Sequence, residues 1–277
     1  MKSSQSTHYQ ITRIYRSGNF LKHRVFSALL LLLCSFVANA TTELRLLTED
    51  WAPMSYQEDG IAKGYAVELV QALADEFSLG GQIEVLPWAR AYSVASSEPN
   101  VMLFATSPTP ERRHLFDFVG PIATSRIFLY AKADDDIKLA NIKQIDEHGV
   151  VGVYRNSLSE SILKKAGIKQ MLVASFPQQS AKQLSHNRVR FWCQADLAVA
   201  TLLDEVDMSF DSVRPVLELA EIDLYFAFSV GTPKATIEQW HQGLAAYKKS
   251  GKLGKLYHKW FAELEMNREI VTLTSID

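Results

Sequence analysis

The chain has 277 residues, two cysteines and a formal net charge of −2. A composition that is 47% hydrophobic and 22% charged is typical of a soluble globular protein with one large or two modest domains, and it argues against a disordered chain or a disulfide scaffold. The charge gives no support for nucleic-acid binding, which usually needs a basic domain. Two cysteines cannot form a cysteine-rich zinc site by themselves. We therefore expect no metal, no other cofactor and no nucleic-acid partner.

The first forty residues have the three-part pattern of a secretory signal peptide. Five basic residues and no acid precede residue 25, an apolar run follows at 25–37, and the run ends in Ala38-Asn39-Ala40. The apolar run is shorter than the roughly 20 residues of a membrane-spanning helix. Cleavage after Ala40 would leave 237 residues with a net charge of −7 and Cys193 as their one cysteine. The sequence therefore predicts an exported protein without an internal disulfide.

The remaining chain alternates between predicted strands and helices. In the first half, apolar runs and helical spacing predict strands at 44–48, 82–86, 101–104 and 126–131 and helices at 66–77 and 88–96. The second half gives strands at 150–153, 171–174, 191–192, 213–219 and 224–228 and helices at 157–166, 180–186, 197–206, 232–250 and 253–264. Alternation of this kind predicts parallel sheets covered by helices on both faces. Two such sets predict two α/β lobes of roughly 100 residues each.

A polar segment, 106–113, follows the predicted strand 101–104 and is the first candidate site. In open α/β sheets, ligands bind beyond the carboxyl ends of the parallel strands. Ser107 offers a hydroxyl there, and Arg112 offers a planar fork of donors that matches a carboxylate at two points. The alternative is an arginine in a surface turn.

Two further groups of candidates lie at predicted strand ends. Arg155 and Ser157 lie between a strand and a helix, where free backbone N–H groups favour an anion, although Ser157 could simply cap the helix. Trp51 and Trp88 could stack on a ligand or pack in the core. Asp196 begins a helix and could cap it or accept an ammonium group. The sequence shows no glycine-rich nucleotide loop, metalloprotease motif or nucleophile motif, so we expect a protein that is not an enzyme.

Seven short motifs occur in an order and spacing that are more specific than any one of them. They are Glu49-Asp-Trp-Ala-Pro53, Gly60 through Gly64, Leu86-Pro-Trp-Ala-Arg-Ala-Tyr92, Thr109-Pro-Glu-Arg112 with Phe116, Val151-Gly-Val-Tyr-Arg155, Trp192 to Leu197, and Phe226-Ala-Phe-Ser229 before Gly251. With them, residues 43–265 resemble the periplasmic solute-binding proteins of ABC transporters, in the amino-acid-type family 3.

The resemblance implies a two-lobed clamp of the type II periplasmic-binding-protein fold. Lobe 1 would comprise 41–125 and 229–277, and lobe 2 would be the inserted segment 126–228, with two hinge crossings near 124–128 and 225–230. A small-molecule ligand would bind between the lobes of a monomer and stabilise the closed state, which an ABC permease would then recognise.

The resemblance also implies roles for individual residues. Arg112 matches the arginine that holds an amino acid's α-carboxylate, Ser107 matches its hydroxyl neighbour, and Trp51 and Trp88 match the aromatics that flank the ligand. Three positions depart from the family pattern. They are Ala105 in place of a hydroxyl residue, Leu158 in place of a threonine, and Ala195 in place of the aspartate that binds the α-ammonium group.

These departures leave two possibilities open for the ligand. Asp196, one place after Ala195, could take over the ammonium group. Otherwise the ligand is not a standard α-amino acid, and Arg90 and Arg155 would add contacts to a more acidic one.

Two other functions are compatible with the resemblance. One is an exported sensor that reports its ligand state to a chemoreceptor or sensor kinase in the membrane. The other is an enzyme on the same clamp, since some relatives are dehydratases of prephenate-like acids. That reaction would need an acid/base group in the cleft, for which Glu49 or Asp50 beside Arg112 is the candidate pair.

Overall fold

Residues 43–79, 81–261 and 269–275 are described by the structure, which is a computed structural model. They all belong to the unit Glu43–Asp277, and the predicted signal peptide at 1–40 lies outside them. The strands are β1 (Arg45–Glu49), β2 (Tyr56–Glu58), β3 (Ile61–Lys63), β4 (Ile83–Leu86), β5 (Val101–Thr106), β6 (Phe116–Lys132), β7 (Val151–Tyr154), β8 (Met171–Ala174), β9 (Phe191–Ala195), β10 (Val213–Ser229) and β11 (Val271–Leu273).

The α-helices alternate with these strands along the chain. They are α1 (Tyr65–Glu76), α2 (Trp88–Ser97), α3 (Ile145–His148), α4 (Leu158–Lys165), α5 (Pro177–Ser185), α6 (Asp196–Asp204), α7 (Lys234–Lys249) and α8 (Lys252–Phe261). Short 3₁₀ turns occur at Ile142–Gln144 and Phe210–Ser212. The predicted end of the last helix, at 262–264, lies outside the described residues. No helix in the described part of the chain combines the length and the apolarity that crossing a bilayer requires.

One large sheet has parallel strands at both ends and antiparallel strands in the middle. The strand order is β4-β1-β5-β10-β6-β9-β7-β8, and β11 adds to β6. The pairs β4–β1 and β1–β5 are parallel at one end, as are β9–β7 and β7–β8 at the other. The α/β fold class with mostly parallel sheets is therefore confirmed. We call the part built on β1, β4 and β5 the first end of the sheet and the part built on β7, β8 and β9 the second end.

The two central strands, β6 and β10, differ from the prediction of shorter separate strands. Each is 17 residues long, and they pair antiparallel along their length with three register shifts. Each of these strands contains a proline, Pro121 in β6 and Pro215 in β10, and proline cannot donate to the ladder. Both prolines lie at register shifts, where regular ladder pairing is interrupted, so the missing N–H costs little and the strands continue through them.

Helix α1 shows how burial and backbone geometry position the loop after β1. Its apolar stripe, which includes Leu69 and Leu73, is fully buried, and burial of each such side chain stabilises the fold by about 1.5–3 kcal/mol. Gly64 precedes the helix at φ 120°, and a Cβ there would lie 2.6 Å from the carbonyl oxygen of Met54. Only glycine lets the helix approach this closely, so Gly64 holds the loop that carries Trp51.

Candidate ligand-binding cavity

A polar cavity lies where the carboxyl ends of the parallel strands from both ends of the sheet face each other. It encloses about 40 Å³. The crossing strands β6 and β10 form its floor through Ile127, Ile222 and Leu224. Its other lining residues are Glu49, Trp51, Trp88, Ala105, Ser107, Arg112, Tyr154, Ser157, Leu158, Ser159, Gln194 and Ala195. This is the edge at which open α/β sheets bind ligands, because every loop that follows a parallel strand reaches it.

Arg112 lies in the turn between β5 and β6 and is held on two sides. Its Nη1 donates to the carbonyl and to the hydroxyl of Ser107, at 3.2 and 3.1 Å. Its guanidinium lies 4.8 Å from the ring centre of Trp88 and 5.4 Å from that of Tyr92. Arg112 is 8% exposed, and burial lowers its pKa, but a guanidinium stays charged at any physiological pH. The result is a preoriented cation in a mostly apolar wall.

Glu49 ends β1 and faces the same cavity. It is 5% exposed, and its Oε2 atom has no hydrogen-bond partner among the described residues. Burial raises the pKa of this carboxyl to about 8, against the opposing effects of the Arg112 charge and a hydrogen bond from Tyr154. No ion pair within 4.0 Å joins Glu49 to Arg112 in the described residues. The carboxyl is therefore largely neutral at pH 7 in this state.

Two more buried polar atoms in the lining lack partners in the part of the chain that the structure describes. They are the indole Nε1 of Trp51 and the amide Nε2 of Gln194. The other amide atom of Gln194, Oε1, accepts a hydrogen bond from the backbone N–H of Ala195 at 2.9 Å. Buried polar groups are nearly always hydrogen-bonded, so unpaired donors and acceptors that line one cavity mark a place for a polar ligand.

Trp88 connects the two ends of the sheet. Its indole N–H donates to the carbonyl oxygen of Asn156 at 2.7 Å, and its ring stacks on Tyr92 with 5.5 Å between ring centres. Asn156 has a left-handed backbone, with φ 58°, in the turn between β7 and α4. In the same turn Ser157 caps α4 by accepting from the N–H of Glu160 at 3.1 Å. The turn thus presents a carbonyl to the first end of the sheet and a helix N-terminus to the cavity.

The structure places the eight predicted site residues in two groups. Trp51, Trp88, Ser107, Arg112 and Ser157 line the cavity, and Arg90, Arg155 and Asp196 do not. Arg90 follows Trp88 by two positions on a helix, and Arg155 follows Tyr154 at a strand end, so each points away from its inward-facing neighbour and is exposed.

Asp196 makes contacts away from the cavity. Its Oδ1 atom accepts from the Ser125 hydroxyl at 2.8 Å and from the Arg126 backbone N–H at 3.0 Å. The Arg126 side chain adds an ion pair at 3.4 Å. This carboxylate therefore ties the start of α6 to the middle of β6.

Sequence reasoning missed several lining residues. Ser159 and Gln194 were not singled out, Tyr154 was part of a candidate motif but received no role, and Glu49 was considered only as an acid/base candidate. Tyr154 and Gln194 lie at the ends of predicted strands, which is the signal that could have found them. Ala105, which departs from the family pattern, also lines the cavity and has a left-handed backbone with φ 62°.

The fold and the cavity together define a class of protein: ligand-binding proteins of the periplasmic-binding-protein fold. The sequence profile of the bacterial extracellular solute-binding proteins, family 3, matches residues 44–263, and the chain belongs to this family.

Two curated relatives come from Bacillus subtilis strain 168. The L-cystine-binding protein TcyA is 23% identical over 77% of this chain and 78% of its own length. The arginine-binding extracellular protein ArtP is 25% identical over 76% of this chain and 83% of its own length.

Solved structures show the same fold at low sequence identity. A histidine kinase sensor domain with similarity to periplasmic binding proteins aligns with a TM-score of 0.73 and 19% identity, over 82% of this chain and all of the other. The ancestral amino-acid-binding protein AncCDT-1, described as a precursor of cyclohexadienyl dehydratase, aligns with a TM-score of 0.69 and 22% identity, over 80% of this chain and 96% of the other.

Proposed function

We propose that this protein captures an amino acid or a related small carboxylate in the cavity and delivers it to an ABC permease. The observation that carries the proposal is the set of polar groups that the cavity buries: a preoriented Arg112 and unpaired atoms on Glu49, Trp51 and Gln194. What distinguishes these three unpaired atoms from others in the described residues, such as Nε1 of Trp240, is that they line one cavity together with Arg112. The names of two relatives, a cystine-binding and an arginine-binding protein, support an amino-acid-type ligand.

In this proposal Arg112 takes the ligand's carboxylate. The hydrogen bonds found for its side chain in the described residues all involve Nη1, so Nη2 and Nε are available for a two-point contact. Ser107 and Ser157 supply hydroxyls, and Trp51 and Trp88 flank the ligand. Arg90, Arg155 and Asp196 stay predictions, to be tested as alternatives.

Two lobes and a hinge explain how a ligand enters. A cavity of about 40 Å³ is far below the roughly 300–1,000 Å³ of ligand pockets, so its walls must separate first. Segments 41–125 and 229–277 form lobe 1, and 126–228 forms lobe 2. The hinge lies near 124–128 and 225–230, where the two long strands cross between the parallel ends. A hydrogen bond of 2.6 Å from Thr124 Oγ1 to Asp223 Oδ1 joins the two strands there.

Hydrogen bonds and ion pairs between the proposed lobes would stabilise a closed state. One is the Trp88–Asn156 hydrogen bond, and another is the ion pair between Lys165 and Glu111, which lowers the pKa of Glu111 to about 2. These contacts are lost on opening. A ligand that touches both lobes then shifts the population toward closure by its differential affinity for the two states.

Export through the segment 1–40 would place the protein in the periplasm, as a monomer. A sensor role is the second candidate, supported by the likeness of the fold to a histidine kinase sensor domain. Loss of radiolabelled ligand uptake in a deletion strain supports import. Normal uptake with loss of chemotaxis or of a transcriptional response supports the sensor role.

The ligand is found by screening residues 41–277 by thermal shift and calorimetry against amino acids, short peptides and organic acids. A ligand raises the melting temperature in a concentration-dependent way because it binds the folded state. Arg112→Ala should abolish the shift, and Arg113→Ala, whose native side chain contacts the Thr274 carbonyl, should not. Undiminished binding by Arg112→Ala would contradict the proposal.

A further inference from the structure

Two charged side chains line the cavity in the described residues: Arg112 and Glu49. If Arg112 takes a carboxylate, a zwitterionic ligand still needs an acceptor for its ammonium group. Asp196, the acceptor expected from the sequence, already accepts two hydrogen bonds and one ion pair from Ser125 and Arg126. Ala195, which stands at the position of the family's aspartate and lines the cavity, has no side chain that could accept a hydrogen bond. Glu49 is therefore the one carboxyl in the lining.

The surroundings of Glu49 suit a carboxyl that accepts hydrogen bonds from a bound cation. Its Oε2 atom is buried without a partner in the described part of the chain, and Tyr154 hydrogen-bonds the carboxyl. Ionising a buried carboxyl that has an unpaired oxygen costs free energy unless a cation pairs with it directly. A ligand ammonium group in the cavity supplies that cation, and the Tyr154 hydroxyl donates to the charge that forms.

We propose that Glu49 binds the ammonium group of the ligand and releases its proton to solvent when the ligand binds. This inference rests on the proposed function, because it needs a ligand in the cavity. The exchange is balanced: the protonated carboxyl loses one proton to the buffer, and the resulting carboxylate pairs with the ammonium group, which keeps its own protons. The cavity then holds two charge pairs, Arg112 with the ligand carboxylate and Glu49 with the ligand ammonium.

The charged and titratable groups around Glu49 make the proton release specific to this carboxyl. Arg112 faces it from the turn after β5 and stays charged. Tyr154 faces it from β7, and burial raises the pKa of its phenol well above the ordinary value, so it stays neutral. Asp50, next along the chain, is outside the cavity lining, and its pKa is also raised by burial.

The sign of the pH dependence follows from these states. Before binding, burial keeps the pKa of Glu49 near 8, and after binding the ligand cation lowers it. Affinity for a ligand with an ammonium group therefore increases with pH up to about 8, by at most tenfold per pH unit. A neutral Glu49 that donated to a second ligand carboxylate would give the opposite sign.

The test compares paired probes on the wild type and on Glu49→Gln, which keeps the shape of the side chain. The probes are L-alanine, L-glutamate and L-arginine, with propionate, glutarate and 5-guanidinopentanoate as their counterparts without the α-amino group. Calorimetry at pH 6, 7 and 8, in two buffers of different ionisation enthalpy, reports affinity and protons released. Circular dichroism and melting temperature establish that the variant is folded.

We expect the amino acid that binds wild type to release close to one proton at pH 7 and to bind Glu49→Gln at least tenfold more weakly. Its deaminated counterpart should bind both proteins equally. Equal binding of the amino acid by both proteins, or proton uptake, overturns the role of Glu49 and leaves the proposed function intact. Binding of the deaminated acids but not of the amino acids also overturns the role of Glu49 and leaves the proposed function intact. If no probe and no compound of the wider panel binds folded wild type, the proposed function fails as well.

Discussion

The two sides of the cavity differ in what they contribute. The side built on β1, β5 and α2 carries both charged groups, Glu49 and Arg112, and both indoles, Trp51 and Trp88. The side built on β7 and β9 carries hydroxyls, one amide and the Tyr154 phenol. The charged groups of the lining are thus concentrated on one side, and in the proposed clamp the other side would close over the ligand with neutral groups and a helix N-terminus.

This asymmetry indicates an order of events for the proposed clamp. The groups that hold Arg112, namely Ser107, Trp88 and Tyr92, all belong to its own side, so its orientation needs no closure. The contacts that span the two sides include the Trp88–Asn156 hydrogen bond and the Lys165–Glu111 ion pair, and neither of them involves Arg112. A ligand would therefore bind the charged side first, and the neutral side would follow.

Removal of the cation should have the largest effect. Truncating one partner of a buried, hydrogen-bonded charge pair costs about 2–5 kcal/mol, so Arg112→Ala should weaken ligand binding at least roughly 30-fold. Arg112→Lys keeps the charge but loses the planar fork, and should recover only part of the affinity. Calorimetry with the ligand found in the screen measures both, and Arg113→Ala is the matched control. An unchanged dissociation constant for Arg112→Ala would place charge recognition elsewhere.

The buried carboxyl should make the ligand-free protein less stable as pH rises. The folded state keeps the proton of Glu49 up to a pKa of about 8, and the unfolded chain loses it near 4.3. The folded state therefore binds more protons between these values, and stability decreases across that window by at most about 1.4 kcal/mol per pH unit.

The substitution Glu49→Gln removes the pH-dependent contribution of this carboxyl to the free energy of unfolding. Urea unfolding at pH 5, 6.5 and 8 should give a difference in unfolding free energy, variant minus wild type, that grows with pH. Other titrating groups, such as Asp50, are present in both proteins and cancel to first order in this difference. A difference that stays constant with pH would show that Glu49 is ionised in the folded state.

Loss of the link across the cavity should have a smaller effect. Trp88→Phe keeps a ring over Arg112 but removes the N–H that donates to Asn156. A net hydrogen bond contributes about 0.5–1.5 kcal/mol, so affinity should decrease roughly 2- to 10-fold, with a shift of the small-angle scattering profile toward an open form. Trp51→Phe removes an N–H that has no partner in the described residues, so the scattering of the ligand-free protein should not change. Equal effects of the two substitutions on scattering would contradict the assignment.

Relief of backbone strain should have the smallest effect. Ala105 lines the charged side with φ 62°, a conformation that costs a residue with a Cβ about 1–3 kcal/mol. Ala105→Gly removes this cost and adds unfolded-state entropy, so we expect a net stabilisation of up to about 1 kcal/mol in urea unfolding. Ala95→Gly, in the interior of α2, is the contrasting control and should destabilise the protein. Destabilisation by Ala105→Gly would show that the position is not strained.

Local sequence signals predicted much of the fold because they act over a few residues. Helical spacing predicts α1 and α2 within a residue or two, and short apolar runs predict the parallel strands. Continuity of β6 and β10 through their prolines was not predictable, because it depends on register shifts between two strands that lie about one hundred residues apart.

The sequence by itself determined the class of the protein and the central residue of its candidate site. The order and spacing of seven short motifs indicate the family. Arg112 follows a buried strand at the position where α/β sheets bind ligands. Tertiary structure alone decided which neighbours share the cavity: it brings Glu49 beside Tyr154 and turns Asp196 toward β6. The physical reason is that the charge state and the direction of a side chain depend on burial and on partners distant in the chain, and no local pattern encodes either.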